Sequence, residues 1–280
     1  MSSAVFIAVI LAAFLHAVWN AMVKNMKDKY LGMSGIVFGH LPASIVVIFL
    51  TPIPAPESIP FIILSAIIHN GYQCFLLNSY KFGDYTKVYP VARGAAPILV
   101  TIISLFFLGT VLSNFEILGI FTISIGILSL SYFDKKPFKD QKEIIYALMT
   151  ATFIMGYSIT DGIGAKISNS FLSYMSWSFI LNAIIYSTLL SFIGQKKIIT
   201  KTITKGKFIF LIGGTTSYLV YGIVVWAFTQ APIPIVATLR ETSIIFALLI
   251  GTYFLKEKFT FFKMVAVLTI FCGVLLLKFF

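Results

Sequence analysis

In a chain of 280 residues, 59% are hydrophobic and 11% charged, and the mean hydropathy is +0.96. A soluble domain carries about 25% charged residues, so this composition suits a bilayer and excludes a soluble enzyme. The formal net charge of +11 does not point to nucleic acid, because the lysines sit in short loops between apolar runs, where they set topology and meet anionic headgroups.

A bilayer span needs about 20 mostly apolar residues. Ten such runs are predicted as helices over 4–23, 31–51, 58–80, 86–108, 115–133, 143–164, 172–194, 207–229, 234–255 and 261–279. The first has no basic residue ahead of it and no clear cleavage site, so it reads as a span and not as a removable signal peptide. Its His16, Asn20 and Lys24 recur every four residues and share a face, with Lys24 snorkelling to the cytoplasmic interface. His16 titrates near neutrality and is a candidate for proton coupling or for a packing hydrogen bond. Trp19 and Asn20 are candidate cavity lining.

The third helix carries a polar stripe of His69, Gln73 and Tyr80 with Asn70 and Tyr72 beside it. Tyr72 and Gln73 are lining candidates, and interhelical hydrogen bonds account for much of the rest. In the sixth, Tyr157 and Asp161 lie one turn apart. Tyr157 is a lining candidate, while Asp161, toward the outer end, is assigned to the interface in preference to proton carriage. The eighth offers Tyr218, Tyr221 and Trp226, aromatic rings with polar tips that suit a cavity accepting an amine or an apolar body. Cys74 and Cys272 fall inside spans, far from metal-ligand spacing, and read as small buried apolar residues.

Two stretches stand apart: Tyr85-Thr-Lys-Val-Tyr-Pro-Val-Ala-Arg-Gly-Ala-Ala-Pro97 and Ala231-Pro-Ile-Pro-Ile-Val-Ala-Thr-Leu-Arg-Glu-Thr-Ser243. Each opens an apolar run with proline, which suits a first helical turn, and then places an arginine within about two turns of the positive helix end, where an anion beside it is favoured. A mid-span arginine costs at least a few kcal/mol and normally faces a partner or water. Arg93 and Arg240 are therefore the leading substrate-binding candidates, with structural pairing as their other reading. Glu241 is either the counter-ion of Arg240 or a coupling and ligand group. Tyr89 shares the face of Arg93.

Lysines gather in the odd-numbered connectors, for example Lys24, Lys27 and Lys29, or Lys256, Lys258 and Lys263, whereas the opposite side has Lys166 and Lys278. By the positive-inside rule the odd connectors are cytoplasmic and both termini face outside. Sliding the chain by 147 residues lays 93–133 on 240–280 without a gap, with twelve of 41 positions identical, among them Arg93/Arg240, Ile123/Ile270 and Gly126/Gly273. That exceeds what shared apolar bias gives. The predicted fold class is an all-α membrane protein whose ten transmembrane helices form two inverted five-helix repeats around a central cavity: 1–134, a cytoplasmic linker 135–142, and 143–280. Five is odd, so the second repeat enters upside down. Inverted repeats with a site at their interface are the mark of secondary transporters.

The whole chain resembles the EamA family of the drug/metabolite transporter superfamily. The motifs that carry the resemblance are His16-Ala-Val-Trp-Asn-Ala-Met-Val-Lys24, Gly83-Asp-Tyr-Thr-Lys-Val-Tyr-Pro-Val-Ala-Arg-Gly94, Leu239-Arg-Glu-Thr-Ser243 and Phe254-Leu-Lys-Glu257. They look most like a subgroup sometimes found beside phosphonate-utilisation genes, an associational hint. The resemblance implies transport of small organic metabolites, often outward, through a cavity between the halves. Thr110 stands where the second half has Glu257, a departure at a helix end.

The resulting expectation is an inner-membrane carrier that works by alternating access on a solute with an anionic or zwitterionic head, amino acid-like or phosphonate-like. Its rivals are a carrier of cationic amines or drugs anchored by Glu241, and a channel or flippase-like scaffold. No enzyme constellation, His-Glu-x-x-His zinc motif or P-loop is present. No cofactor is expected, and proton or ion coupling through His16 or Glu241 stays open beside uncoupled facilitation. The expected partners are the solute and the lipid bilayer, not nucleic acid. A monomer suffices, since two fused repeats can close one cavity.

Overall fold

Ten long helices account for the chain in the computed structural model, which describes residues 1–24, 26, 28–82, 85–132, 140–195, 197–254, 256 and 258–279, with side chains for all of these except 24, 80–82, 85 and 86. Lys27, Gly83, Asp84, the linker residues 135–139, Leu255, Glu257 and Phe280 lie outside the described residues. The spans are α1 (Ser3–Lys24), α2 (Lys29–Gly39, resuming as Leu41–Leu50), α3 (Ile59–Phe82), α4 (Tyr85–Phe107) and α5 (Asn114–Tyr132), then α6 (Gln141–Ile167), α7 (Phe171–Phe192), α8 (a π turn Ile209–Gly213 and then Gly214–Gln230), α9 (Ile233–Arg240, resuming as Ser243–Tyr253) and α10 (Phe261–Phe279). Each is long and apolar enough to cross a membrane. Their outward surfaces are apolar too: Phe49, Phe106, Phe107 and Phe192 are largely exposed, which suits lipid and not water. Cys74 and Cys272 are on that exposed surface, not in the core as expected.

Local chemistry sets several helix ends. Before α5 the Ser113 hydroxyl accepts from the Glu116 N–H at 3.2 Å while the Glu116 carboxylate accepts from the Ser113 N–H at 2.8 Å, a reciprocal cap for two donors that the helix leaves unpaired. The carboxylate of Asp140 caps α6 through the Lys142 N–H. After α7, Gly194 takes φ +82, and the Gln195 N–H reaches the Leu190 carbonyl at 2.9 Å; glycine makes this left-handed ending cheap. A short helix, Ile198–Thr204, follows and buries Ile198 and Thr202. It is an addition to the ten predicted runs, too short to span.

The two halves are related by exchange. α1 lies against α8 and α9 as α6 lies against α3 and α4; α3 packs on α7 as α8 packs on α2; α5 pairs with α10, α2 with α7 and α4 with α9. The α5–α10 seam shows this at atomic scale. A Cβ on Gly126 would stand 2.8 Å from Ile270, and one on Gly273 would stand 2.6 Å from Ile123. These four residues are two repeat-related pairs. Small residues let membrane helices approach closely, and this pair does so symmetrically.

The exchange is broken at more than one seam: α4 packs along α5 while α9 barely meets α10, and the break that bears on the site lies at α6. α6 packs on α8, whereas the corresponding α1 and α3 barely touch. Ile233 fills the space over Gly162, and the ring of Tyr174 fills that over Gly164. Near the even connectors α6 is thus closed against α7, α8 and α9, whereas toward the lysine-rich connectors α1 and α3 are parted although α2 stays packed on α8.

Two sequence expectations change. α4 begins five residues before Pro90, so Pro90 and Pro97 lie inside it instead of in its first turn; an interior proline removes a backbone hydrogen bond, which neighbouring helices make tolerable in a membrane. α9 is interrupted at Glu241–Thr242, where the hydrogen bonds tighten to the i−3 pattern (Glu241 N–H to Thr238 O, Thr242 N–H to Leu239 O). Arg240 thus closes its segment and lies at a carbonyl end, which favours a cation, the opposite of the expected sign.

Gly273→Ala tests the seam. Overpacking costs about 1–3 kcal/mol and outweighs the roughly 1 kcal/mol of helix propensity gained, so the variant melts below the unmodified protein in detergent. Gly126→Ala falls less, because its next-nearest contacts, 3.2 and 3.3 Å, are looser than the 2.8 Å to the Gly119 carbonyl at Gly273.

Candidate functional site

The parted ends lead into one cavity. α1 contributes His16, Trp19, Asn20 and Val23; α2 contributes residues from Lys29 to His40; α3 adds His69, Tyr72 and Gln73; and α4 adds Tyr89 and Arg93. These walls belong to the first repeat and run toward the lysine-rich face. The second repeat supplies the floor near mid-depth, with Tyr157 from α6, Phe179 and Asn182 from α7, Ser217 and Tyr221 from α8, and Arg240 from α9. Among the described lining residues there are three cations, Lys29, Arg93 and Arg240, and no carboxylate.

At the floor the repeats meet through one carboxylate. Glu241 Oε2 lies 2.5 Å from Arg93 Nε, close but off the line of a hydrogen bond. Its Oε1 accepts from Arg240 Nη2 at 3.2 Å and from Nε at 3.4 Å. Glu241 is wholly buried, and the arginines are 2% and 3% exposed. Arg93 also donates from Nη2 to His16 Nε2 at 3.2 Å and reaches the Ser243 hydroxyl at 3.5 Å. The guanidinium of Arg93 lies 5.6 Å from the Tyr89 ring centre, and that of Arg240 lies 5.4 Å from the Tyr157 ring centre, where the ring faces favour a cation.

Two guanidiniums around one carboxylate leave a single positive charge. Away from water this charge is screened poorly. The carboxylate sits behind the arginines, so the surface presented to the cavity is cationic.

A second carboxylate faces elsewhere. Asp161 is 1% exposed, not interfacial as expected from its place in the span. Its Oδ1 accepts from the Tyr174 hydroxyl at 3.0 Å, and its Oδ2 accepts from the Tyr221 hydroxyl. Neither of its oxygens lines the cavity.

The structure brings His16, Trp19, Asn20, Tyr72, Gln73, Tyr89, Arg93, Tyr157, Tyr221 and Arg240 to one chamber. Two candidates are off the wall. Glu241 is sequestered between the arginines, and Tyr218 is buried with its hydroxyl 2.7 Å from that of Ser176. Of the coupling candidates, Glu241 lies between two cations. His16 receives a hydrogen bond from a group that only donates, so its Nε2 must be unprotonated.

Three contributors were missed. His40, at the break in α2, stacks on Phe179 with centroids 4.2 Å apart. Gly39 and Gly214 touch backbone to backbone just beside it, which holds α2 against α8 and fixes that break at the floor. Its two ring nitrogens, with Trp19 Nε1 and Gln73 Oε1, have no protein partner although buried; buried polar groups generally take one, and these are available to a solute. Asn182 accepts from the Gln73 amide at 3.2 Å. His69 stacks on Tyr157. A lone histidine or asparagine in an apolar run was the available signal for His40 and Asn182, and for His69 it was the polar stripe of its helix.

Comparison with known proteins agrees with this architecture. No curated protein matches the chain in sequence. A solved structure titled "Crystal structure of protein" superposes with a TM-score of 0.76 over 100% of this chain and 99% of its own; at 13% identity it is similar in fold alone. Residues 141–279 match the family described as the EamA-like transporter family. With ten membrane-crossing helices in exchanged halves, the chain is a multi-pass membrane protein that belongs to the EamA family of the drug/metabolite transporter superfamily.

Proposed function

We propose that this transporter carries a small organic solute with an anionic or zwitterionic head, amino acid-like or phosphonate-like, across the bacterial inner membrane by alternating access. The observation that carries the reading is the cationic floor: Arg93 and Arg240 face the cavity with one carboxylate between them, set behind. An entering anion completes the charge balance and takes charge-assisted hydrogen bonds from planar donors suited to carboxylate or phosphonate. Tyr72, Tyr89, Tyr157 and Tyr221 enclose the remainder of the solute, with Trp19, Asn20 and Gln73 nearer the mouth.

Alternating access is supported by the broken exchange between the halves. The first repeat is parted where the second is shut, so swapping their conformations opens the other face around the same arginines. The lysine-rich connectors make the open face cytoplasmic and put both termini outside. A cationic solute fits less well, since its proposed anchor, Glu241, is reached only past two arginines.

Purified protein gives the first test. Acidic and zwitterionic metabolites raise its melting temperature by mass action and cationic amines do not. In liposomes Arg93→Ala slows uptake of the accepted solutes about 10- to 150-fold, the loss of one charge-assisted contact of about 1.5–3 kcal/mol. Transport of every accepted solute at the unmodified rate by Arg93→Ala would overturn the assignment.

Stability separates the members of the triad. Glu241→Gln leaves two buried guanidiniums facing each other without a counter-charge and loses about 3–5 kcal/mol, seen as a marked fall in melting temperature. Arg93→Ala leaves Glu241 paired with Arg240 and falls by much less. The reverse order would show that the excess charge at the floor has been assigned wrongly.

A further inference from the structure

The geometry points to a proton-binding site formed by His69 and Asp161, separate from the arginine floor, at which transport is coupled to protons. Its use in coupling rests on the carrier reading above; the site itself rests on hydrogen-bond chemistry.

His69 Nδ1 lies 3.0 Å from the carbonyl oxygen of Ser65. A carbonyl only accepts, so Nδ1 carries a proton. The Ser65 hydroxyl, 3.3 Å from the same nitrogen, has a closer partner in the Ser178 hydroxyl at 2.8 Å. A neutral imidazole has one N–H, which leaves a lone pair on Nε2. Nε2 lies 3.9 Å from Asp161 Oδ2. Two acceptors at this separation gain nothing from each other, and one added proton turns the pair into an attractive one. It resides on Nε2, giving an imidazolium beside a carboxylate, or on Asp161, giving a carboxylic acid beside a neutral ring. Either way the pair holds one proton more than a neutral histidine with an ionised aspartate.

Access favours a proton over a larger cation at this carboxylate. His69 and Tyr221 line the cavity and Asp161 does not, so a solute ammonium meets the ring and the phenol before any carboxylate oxygen. A proton from cavity water needs only to reach Nε2, and it leaves by the same path. The other groups facing the pair are neutral phenols or at one remove. Tyr157 stacks on His69 from α6, and Tyr174 from α7 and Tyr221 from α8 donate to Asp161. His40 on α2 stacks on Phe179, whose ring edge meets His69. Arg240 on α9 lies across the Tyr157 ring. His16 Nε2 is already engaged by Arg93, and Glu241 lies between the two arginines.

The location gives the proton a consequence. Asp161 ties α6 to α7 through Tyr174 and to α8 through Tyr221, on the side of the floor that is shut. A proton residing on the carboxylate weakens it as the acceptor of those two hydroxyls and so loosens the closed end. Occupancy of the pair and opening of the far face are thereby linked.

The test needs no solute, so its failure is distinct from failure of the carrier reading, which shows in the solute assays. Purified protein in weakly buffered detergent solution is taken from about pH 8 to about pH 5 with a pH-indicator dye reporting protons bound per chain. His69→Gln and Asp161→Asn each bind about one proton fewer than the unmodified protein, and the double variant loses no more than either single one, because the proton belongs to the pair. Unchanged uptake by Asp161→Asn, or additive losses in the double variant, overturns the proposal. If Asp161→Asn does not fold, Tyr221→Phe gives the same decision. Losing the hydroxyl that donates to Oδ2 moves the midpoint of uptake to higher pH, and an unmoved midpoint excludes the pair.

Discussion

A glutamate shared by two arginines from opposite repeats is the constraint on which the centre of this protein depends. Burying three ionised groups in a bilayer is expensive, and the expense is tolerable only because each guanidinium finds the same carboxylate. Arg93 comes from α4 and Glu241 with Arg240 from α9, so the cluster fixes the register of these two helices. It also excludes a neutral result, since three groups of unit charge leave a residue of one. The sign of that residue, and its exposure to the cavity while the carboxylate is hidden, connects the packing of the bundle to the chemistry of what enters it.

The surrounding structure keeps that cluster at the boundary between an open and a closed half. α5 and α10 take no part in the cavity and lock together through Gly126 and Gly273, each seated against the isoleucine of the other helix. The walls above the floor come from the first repeat and are parted. Their counterparts in the second repeat are pressed together, with Ile233 over Gly162 and Tyr174 over Gly164. On the alternating-access reading proposed above, a symmetric sequence held in an asymmetric conformation reaches a second conformation of related shape by exchange, and the two differ in which face reaches the arginines.

Much of this was legible in the sequence, for identifiable reasons. Span positions follow from hydropathy, which the bilayer enforces almost without exception. The repeat appeared as identities at fixed offset, and Ile123, Gly126, Ile270 and Gly273, picked out only as identities, are the residues that touch. The arginines were conspicuous because nothing in an apolar helix tolerates them cheaply. What could not be read was direction across the axis. Glu241 is adjacent to Arg240 in sequence, and its contact with Arg93 depends on the tightened turn at Glu241–Thr242, which no local pattern announces. Asp161 was misplaced for a related reason: distance along a helix suggests depth, but Tyr174 and Tyr221 reach it from α7 and α8. His40 was passed over because a single histidine in an apolar run is equally consistent with packing, and only the Gly39–Gly214 contact shows why it stands at the floor.

Two of the buried carboxylates, Glu241 and Asp161, differ in the kind of partner they have. Glu241 lies between two permanent cations and serves as their structural counter-ion. Asp161 is surrounded by phenols and an imidazole, groups that donate a hydrogen bond or release a proton without carrying a fixed charge. On the proposed reading, the first arrangement holds a constant field at the solute site and the second lets the charge change with one proton. Placing the constant charge on the wall of the cavity and the variable one behind it, on the closed face, keeps solute recognition from being altered by the event that changes access. That separation is what a carrier needs if binding and opening are to be linked without one abolishing the other, and in this chain it follows from which helices happen to present arginine and which present tyrosine.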